Sequence, residues 1–144
     1  MVRIGIIGVG VMGGGHARFI KEHVPNARVV ALFDIDTQKI AALAHELGTV
    51  TIQTTEAETL MNHPEVDAVI IASPDPLHVA HLKLAIACKK PVLCEKPIAT
   101  TLEDARSIAQ EIKNYEKTVG KTMIHFGFMR RFDASYREVK RLIE

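Results

Sequence analysis

The sequence predicts an α/β fold, a doubly wound parallel sheet with helices on both faces. Short apolar runs alternate along the whole chain with segments whose apolar residues recur at helical spacing, the pattern of successive strand-helix-strand units around a sheet covered on both sides. The first run, Ile4 to Ile7, passes directly into Gly8, Val9, Gly10, Val11, Met12 and Gly13, a glycine-rich turn placed where a first strand gives way to a first helix. The 144 residues, 47% of them hydrophobic, suffice for one substantial core and fall within the size of a single domain.

Strands are expected near Val2 to Ile7, Arg28 to Asp34, Thr49 to Ile52, Ala68 to Ser73, Pro91 to Cys94 and Thr122 to Gly127. The first helix opens loosely on Gly13, Gly14, Gly15 and His16. Glycine is costly inside a helix, so a close approach of sheet or ligand is expected to compensate, with Gly14 a tolerated passenger. Asp36 is placed to cap the next helix, whose apolar face is Ile40, Leu43, Ala44 and Leu47, and Gly48 supplies its left-handed stop. Asp75 before Pro76 reads as the cap of a helix that ends near Lys89 and Lys90. Thr100 and Glu103 have the spacing of a capping box ahead of Leu102, Ala105, Ile108, Ala109 and Ile112. From Asp133 to Glu144 a last amphipathic helix carries Tyr136, Val139, Leu142 and Ile143, with no glycine or proline stop. No linker or repeat interrupts this order.

Composition excludes several classes. Eighteen basic against seventeen acidic residues, with no Lys/Arg stripe, argue against a nucleic-acid partner. The apolar stretches near Ala68 to Ala72 and Leu82 to Cys88 are too short to span a bilayer, and the N-terminus begins a strand rather than a signal peptide, so no membrane partner and a cytoplasmic location are expected. Cys88 and Cys94 form no C-x-x-C pair and fit reduced thiols.

The glycine turn points to a dinucleotide. A helix N-terminus presents unpaired N–H groups and partial positive charge, and glycine clears the way for a pyrophosphate over Gly10 to Gly13. A second apolar run, Val29 to Phe33, ends in Asp34, about twenty residues past Gly13, where a carboxylate holds the adenosine ribose hydroxyls. Together these define a Rossmann-type reading. Asp34, Ile35 and Asp36 place carboxylates and no arginine at the ribose, which favours NAD over NADP. The loop Ser73, Pro74 and His78 follows the fourth strand at the topological switch point, making Ser73 and His78 candidate cofactor neighbours, His78 as a polar residue packed near the nucleotide. His81 is expected at the surface. His78 and His81 lack a nearby third ligand, so no metal is assigned. Lys96, at the end of the fifth strand, faces the same crevice and is the candidate for donating to a substrate hydroxyl.

Gly8, Gly10 and Gly13 with Asp34, then Ser73, Pro74 and His78, then Glu95, Lys96 and Pro97, and finally the segment Gly127 to Asp133 together resemble the Gfo/Idh/MocA family of sugar and polyol dehydrogenases, the last segment looking most like its inositol 2-dehydrogenases. The Glu-Lys-Pro segment is the specific part. The resemblance implies NAD as cofactor, with contacts also from Val11, Met12, Ile35 and Glu95. It implies Lys96 against the hydroxyl being oxidised, Arg130 close to nicotinamide and substrate, and a Lys96-Pro97 bond that is typically cis. It further implies a second domain that supplies an Asp and a His, binds most of a small polyol or sugar substrate, and makes a homo-oligomer interface. On that reading residues 1–130 are the NAD-binding domain and 131–144 begin the helix leading into an absent second domain. The chain is then the cofactor half of an enzyme, inactive alone. The alternatives are another sugar or nucleotide-sugar dehydrogenase of the family, and a non-catalytic NAD-binding module, which has no need of Lys96 or Arg130.

Overall fold

The computed structural model describes residues 1–144. Strands β1 (Val2–Ile7), β2 (Ala27–Phe33), β3 (Ile52–Thr54), β4 (Ala68–Ile71), β5 (Val92–Cys94) and β6 (Ile124–Phe126) form one sheet in the order β3-β2-β1-β4-β5-β6. Every neighbouring pair is parallel. Crossovers are made by α1 (Val11–His23), α2 (Thr37–Leu47), α3 (Ala57–Asn62), α4 (His78–Ala87) and α5 (Leu102–Val119), and α6 (Ala134–Ile143) follows β6. The strand order reverses between β1 and β4, which opens a crevice at the carboxyl ends of those two strands. This is the α/β Rossmann-type sheet that the sequence predicts.

Alternation along β1 builds the two faces. Ile6 and Ile7 are both fully buried on opposite sides, Ile6 with Ala17, Ile20, Ile40 and Leu43 of α1 and α2, and Ile7 with Leu60, Leu82 and Ile108 of α3, α4 and α5. Gly5 lies on the second face, where a Cβ would sit 2.7 Å from Leu60 Cδ2, so its missing side chain lets α3 settle onto β1. Two caps fall where the spacing places them. Asp36 accepts from the Gln38 and Lys39 N–H groups at 3.0 and 3.2 Å, and Gly48 ends α2 with φ +70°.

Several local expectations are corrected. The third strand begins at Ile52 rather than Thr49: Thr49 uses its hydroxyl on the Val29 carbonyl (2.8 Å), and the regular ladder starts where Ile52 meets Ala31. The capping box lies one residue later, at Thr101, whose hydroxyl accepts from Asp104 N–H (3.1 Å) and donates to its carboxylate (2.7 Å). Thr100-Thr101 and Glu103-Asp104 satisfy the pattern in both registers, and the extended Thr101 (φ −122°, ψ 154°) decides between them. Asp75 caps nothing. It opens a 3-10 turn, Asp75–Leu77, that feeds α4 through the His78 N–H to Asp75 carbonyl bond. Helix α3 has no sequence signature, because six residues carry too little periodicity, yet Leu60 and Met61 on it are fully buried. His81 is buried, not at the surface, since α4 lies under the sheet and Ser73 supplies a polar partner. No helix is long and apolar enough to cross a membrane.

Candidate functional site

At the crevice, glycine is required at two positions by contact and at one by access. Gly8 adopts φ +89°, and a Cβ there would lie 2.6 Å from the Ala72 carbonyl oxygen at the end of β4. At Gly13 a Cβ would lie 1.8 Å from the Gly8 carbonyl oxygen, so α1 can cross the turn this closely only without a side chain. Gly10 meets nothing within 4 Å and stands at the N-terminus of α1, which has neither a side-chain cap nor an acidic residue in its first turn. The first-turn N–H groups thus lack intrahelical and side-chain partners, the donor set and charge that suit a pyrophosphate.

A cleft of about 530 Å³ opens here, lined by Gly8, Gly10, Val11 and Met12 on one side, Phe33, Asp34, Ile35, Asp36 and Lys39 on another, and Ala72, Ser73, Pro74 and Leu77 across from them. Asp34 Oδ2 accepts from Val9 N–H (2.9 Å) and Oδ1 from Asp36 N–H (3.1 Å). A carboxylate has about four acceptor sites, so both oxygens keep capacity for ribose hydroxyls. Lys39, which the sequence reading left out, lies 3.5 Å from Asp36 as an ion pair, one helical turn into α2. Phe33 and Leu77 add apolar walls suited to an adenine ring. A separate depression of about 410 Å³ near Thr37, Gln53, Thr54 and Glu56 contains none of the sequence-predicted site residues.

Beneath the cleft lies a buried polar cluster. His78 has no exposed surface, and its Nδ1 lies 2.7 Å from the Pro97 carbonyl and its Nε2 2.9 Å from the Ser73 carbonyl. Carbonyls only accept, so a ring nitrogen that carries a proton donates to the carbonyl it faces. The Ser73 hydroxyl bonds His81 Nδ1 at 2.9 Å, and Phe33 sets its ring edge against His81. Burial, with His78 alongside, holds the His81 imidazole below its ordinary range. His78 therefore stands behind Ser73 and Pro97 rather than on the cleft wall.

Beyond β5, Glu95 is buried and Lys96 exposed, and the Lys96-Pro97 bond is cis. His16 Nε2 donates to Glu95 Oε1 at 2.8 Å across 79 positions of sequence, and Gly127 lies beside the same carboxylate. The sequence assigns Glu95 as a cofactor contact but gives no sign of its partner His16, which shows only as a polar residue after the glycine run. Arg130 lies in a 3-10 turn, Met129–Arg131, donates to Asp133 at 2.8 Å and rests over the Tyr136 ring at 5.1 Å. The structure thus brings the glycine turn, Asp34, Ser73 and Pro74 onto one cleft, sets Lys96 beyond the neighbouring strand, and ties Arg130 to the start of α6.

Residues 2–122 match the family described as the Gfo/Idh/MocA oxidoreductase family, NAD-binding Rossmann fold. Inositol 2-dehydrogenase 3 of Saccharopolyspora erythraea is 39% identical over 99% of the chain, and inositol 2-dehydrogenase of Acidothermus cellulolyticus 40% identical over 96%. The chain covers 40% and 39% of the length of these two relatives. Among solved structures, myo-inositol dehydrogenase from Lactobacillus casei, in complex with NAD(H) and myo-inositol, superposes with TM-score 0.89 at 33% identity over 99% of this chain and 41% of that one. Scyllo-inositol dehydrogenase of the same organism, with bound NAD(H) and scyllo-inositol, gives 0.88 at 31% identity over the same shares. The family match over residues 2–122, with relatives and solved structures that cover 99% of the chain, places it in the Gfo/Idh/MocA oxidoreductase family as an NAD-binding Rossmann domain.

Proposed function

We propose that the chain is the cofactor-binding part of an NAD-dependent dehydrogenase that oxidises a CH–OH group of a polyol or sugar, with an inositol as substrate. The observation that carries this reading is the exposed Lys96 at the end of β5, in a fold that already has an NAD cradle at β1. A module that only binds the dinucleotide has no use for a lysine there, and the inositol dehydrogenases of similar fold support the substrate class. Bound NAD supplies the acceptor for the hydride leaving the substrate carbon.

The chain's own residues divide the remaining work. The N–H groups from Gly10 to Gly13, with Val11 and Met12, hold the pyrophosphate, and Gly8 keeps the turn tight against Ala72. Asp34 takes the adenosine ribose, and together with Asp36 it disfavours a 2′-phosphate by like charge, while Ile35 supplies no cation. Ser73 and Pro74 form the facing wall, supported from below by His78. Glu95 meets the nicotinamide end. The Lys96 ammonium donates to the substrate hydroxyl oxygen and stabilises the negative charge that gathers there as the carbon is oxidised. Arg130 lies close to nicotinamide and substrate once released from Asp133. Residues 1–130 form the cofactor domain, and the helix from 131 leads toward a substrate domain that provides the proton-accepting histidine and a homo-oligomer interface. We place the reaction in the cytoplasm, where Cys88 and Cys94 stay reduced. Burial there pushes the Cys94 thiol up to about 12.

Calorimetric titration of the 144-residue chain tests the first step. Saturable binding of NAD⁺ and NADH, weakened by the open nicotinamide side, is expected. No heat and no thermal stabilisation at millimolar dinucleotide, in a chain shown to be folded, would overturn the reading.

A further inference from the structure

We infer that His16 is a positioning residue that fixes the Glu95 carboxylate for the nicotinamide end of the dinucleotide. The inference rests on the reading above that Glu95 meets that end. Three elements meet around Glu95, one of which bonds its carboxylate. From α1, His16 Nε2 donates to Oε1 at 2.8 Å. On β5's far end, the Glu95 N–H is held by the Ile71 carbonyl (2.9 Å), and after β6 the Gly127 N–H is held by the Cys94 carbonyl (2.8 Å). A Cβ on Gly127 would come within 3.1 Å of both carboxylate oxygens, so glycine leaves the slot they occupy.

The pairing is one-sided. Glu95 is 9% exposed, its Oε1 is engaged by His16 alone, and its Oε2 has no protein partner and reaches solvent. A mostly buried carboxylate with one oxygen tied to the protein and the other open to solvent can exchange that water for a ligand donor without breaking a protein hydrogen bond. A single imidazole N–H fixes the orientation of the group and leaves the second oxygen for a donor from outside, such as a sugar hydroxyl. The tie also adds a side-chain link between α1, the helix proposed to take the pyrophosphate, and the strand end that carries Lys96, beside the backbone ladders of the sheet.

The test compares two probes on the 144-residue chain: NADH, which has the nicotinamide riboside, and ADP, which lacks it. Affinities are measured by calorimetry alongside melting temperatures. Glu95→Gln and His16→Leu are each expected to weaken NADH about fivefold, the scale of one hydrogen bond, with ADP unchanged. His16→Gln, whose amide N–H can donate to the same oxygen, is expected to recover most of the loss. His16→Leu is expected to add nothing in the Glu95→Gln background. Gly127→Ala displaces the carboxylate without touching His16 and is expected to reproduce the selective loss. If Glu95→Gln weakens NADH and His16→Leu does not, the positioning role is overturned while the Glu95 reading stands. If Glu95→Gln leaves NADH unchanged, the Glu95 reading falls and takes this inference with it. Equal weakening of NADH and ADP by His16→Leu, with a lowered melting temperature, makes His16 a stabilising residue of α1 only and overturns the inference.

Discussion

The Asp34 carboxylate accepts a hydrogen bond from the Val9 N–H at 2.9 Å, and this bond fastens the end of β2 to the glycine turn after β1. Its other oxygen accepts from Asp36 N–H at 3.1 Å, just before Asp36 itself caps α2. One side chain therefore shapes both walls of the cleft and still has acceptor capacity for a ligand. The structural role of Asp34 is thus compatible with the cofactor role proposed for it.

Replacing Asp34 with Ser and Ile35 with Arg is accordingly expected to have two effects. Preference moves from NADH toward NADPH, because a repelling carboxylate is exchanged for a phosphate partner. Stability falls by about 1–3 kcal/mol, because two backbone N–H groups lose their acceptors. Paired titrations with both dinucleotides and a urea melt read the two effects separately, and an unmodified chain that already prefers NADPH contradicts the role of Asp34.

The glycines near α1 separate folding from binding. Gly13→Ala places a methyl against the Gly8 carbonyl and is expected to destabilise by roughly 3 kcal/mol or more. Gly10→Ala meets no protein atom, so it is expected to leave the fold within about 0.5 kcal/mol of the parent while weakening NADH about tenfold. Gly15→Ala, also in open space and inside the helix, is expected to stabilise by about 0.5–1 kcal/mol. Denaturant melts and NADH titration of the three variants provide the check.

His81 makes stability pH-dependent. Burial lowers its proton affinity in the folded chain below the ordinary value of 6.5, so the unfolded chain takes up the proton first as the solution is acidified. Its stabilising effect is whole above about pH 7 and declines as pH falls through 6.5 toward the lower folded value. Urea melts between pH 7.5 and 5 are expected to show this decline, and His81→Gln is expected to flatten it. An equal slope in the variant would assign the decline to other groups.

Lys96→Met is expected to act on chemistry and not on cofactor capture. In a protein with the proposed polyol dehydrogenase activity, kcat is expected to fall by about a hundredfold or more with NAD affinity within about twofold of the parent. Turnover that survives within a few-fold makes Lys96 a bystander. Polyol oxidation is expected to be absent from the 144-residue chain alone, with or without the substitution.

Much of the fold was legible because its determinants are local. The strand-to-helix glycine turn, the Asp36 cap and the Gly48 stop depend on residues within a few positions of each other, and apolar periodicity marks which segments are covered on both faces. Legibility failed where two local registers were equally good, as at Thr100 and Thr101, or where a segment was too short for a period, as in α3.

The sequence by itself determined the parallel α/β sheet, the cleft at its switch point and the cofactor class, since glycine clearance and a strand-end carboxylate are properties of residue type and spacing. Only the tertiary structure decided which polar groups stand behind that cleft. His81 is buried because α4 carries it beneath Ser73, His78 bridges Ser73 and Pro97, and His16 reaches Glu95 from 79 positions away. Such pairs form between elements that the strand order brings together, and no spacing along the chain encodes the angle at which α1 and α4 lie across the sheet.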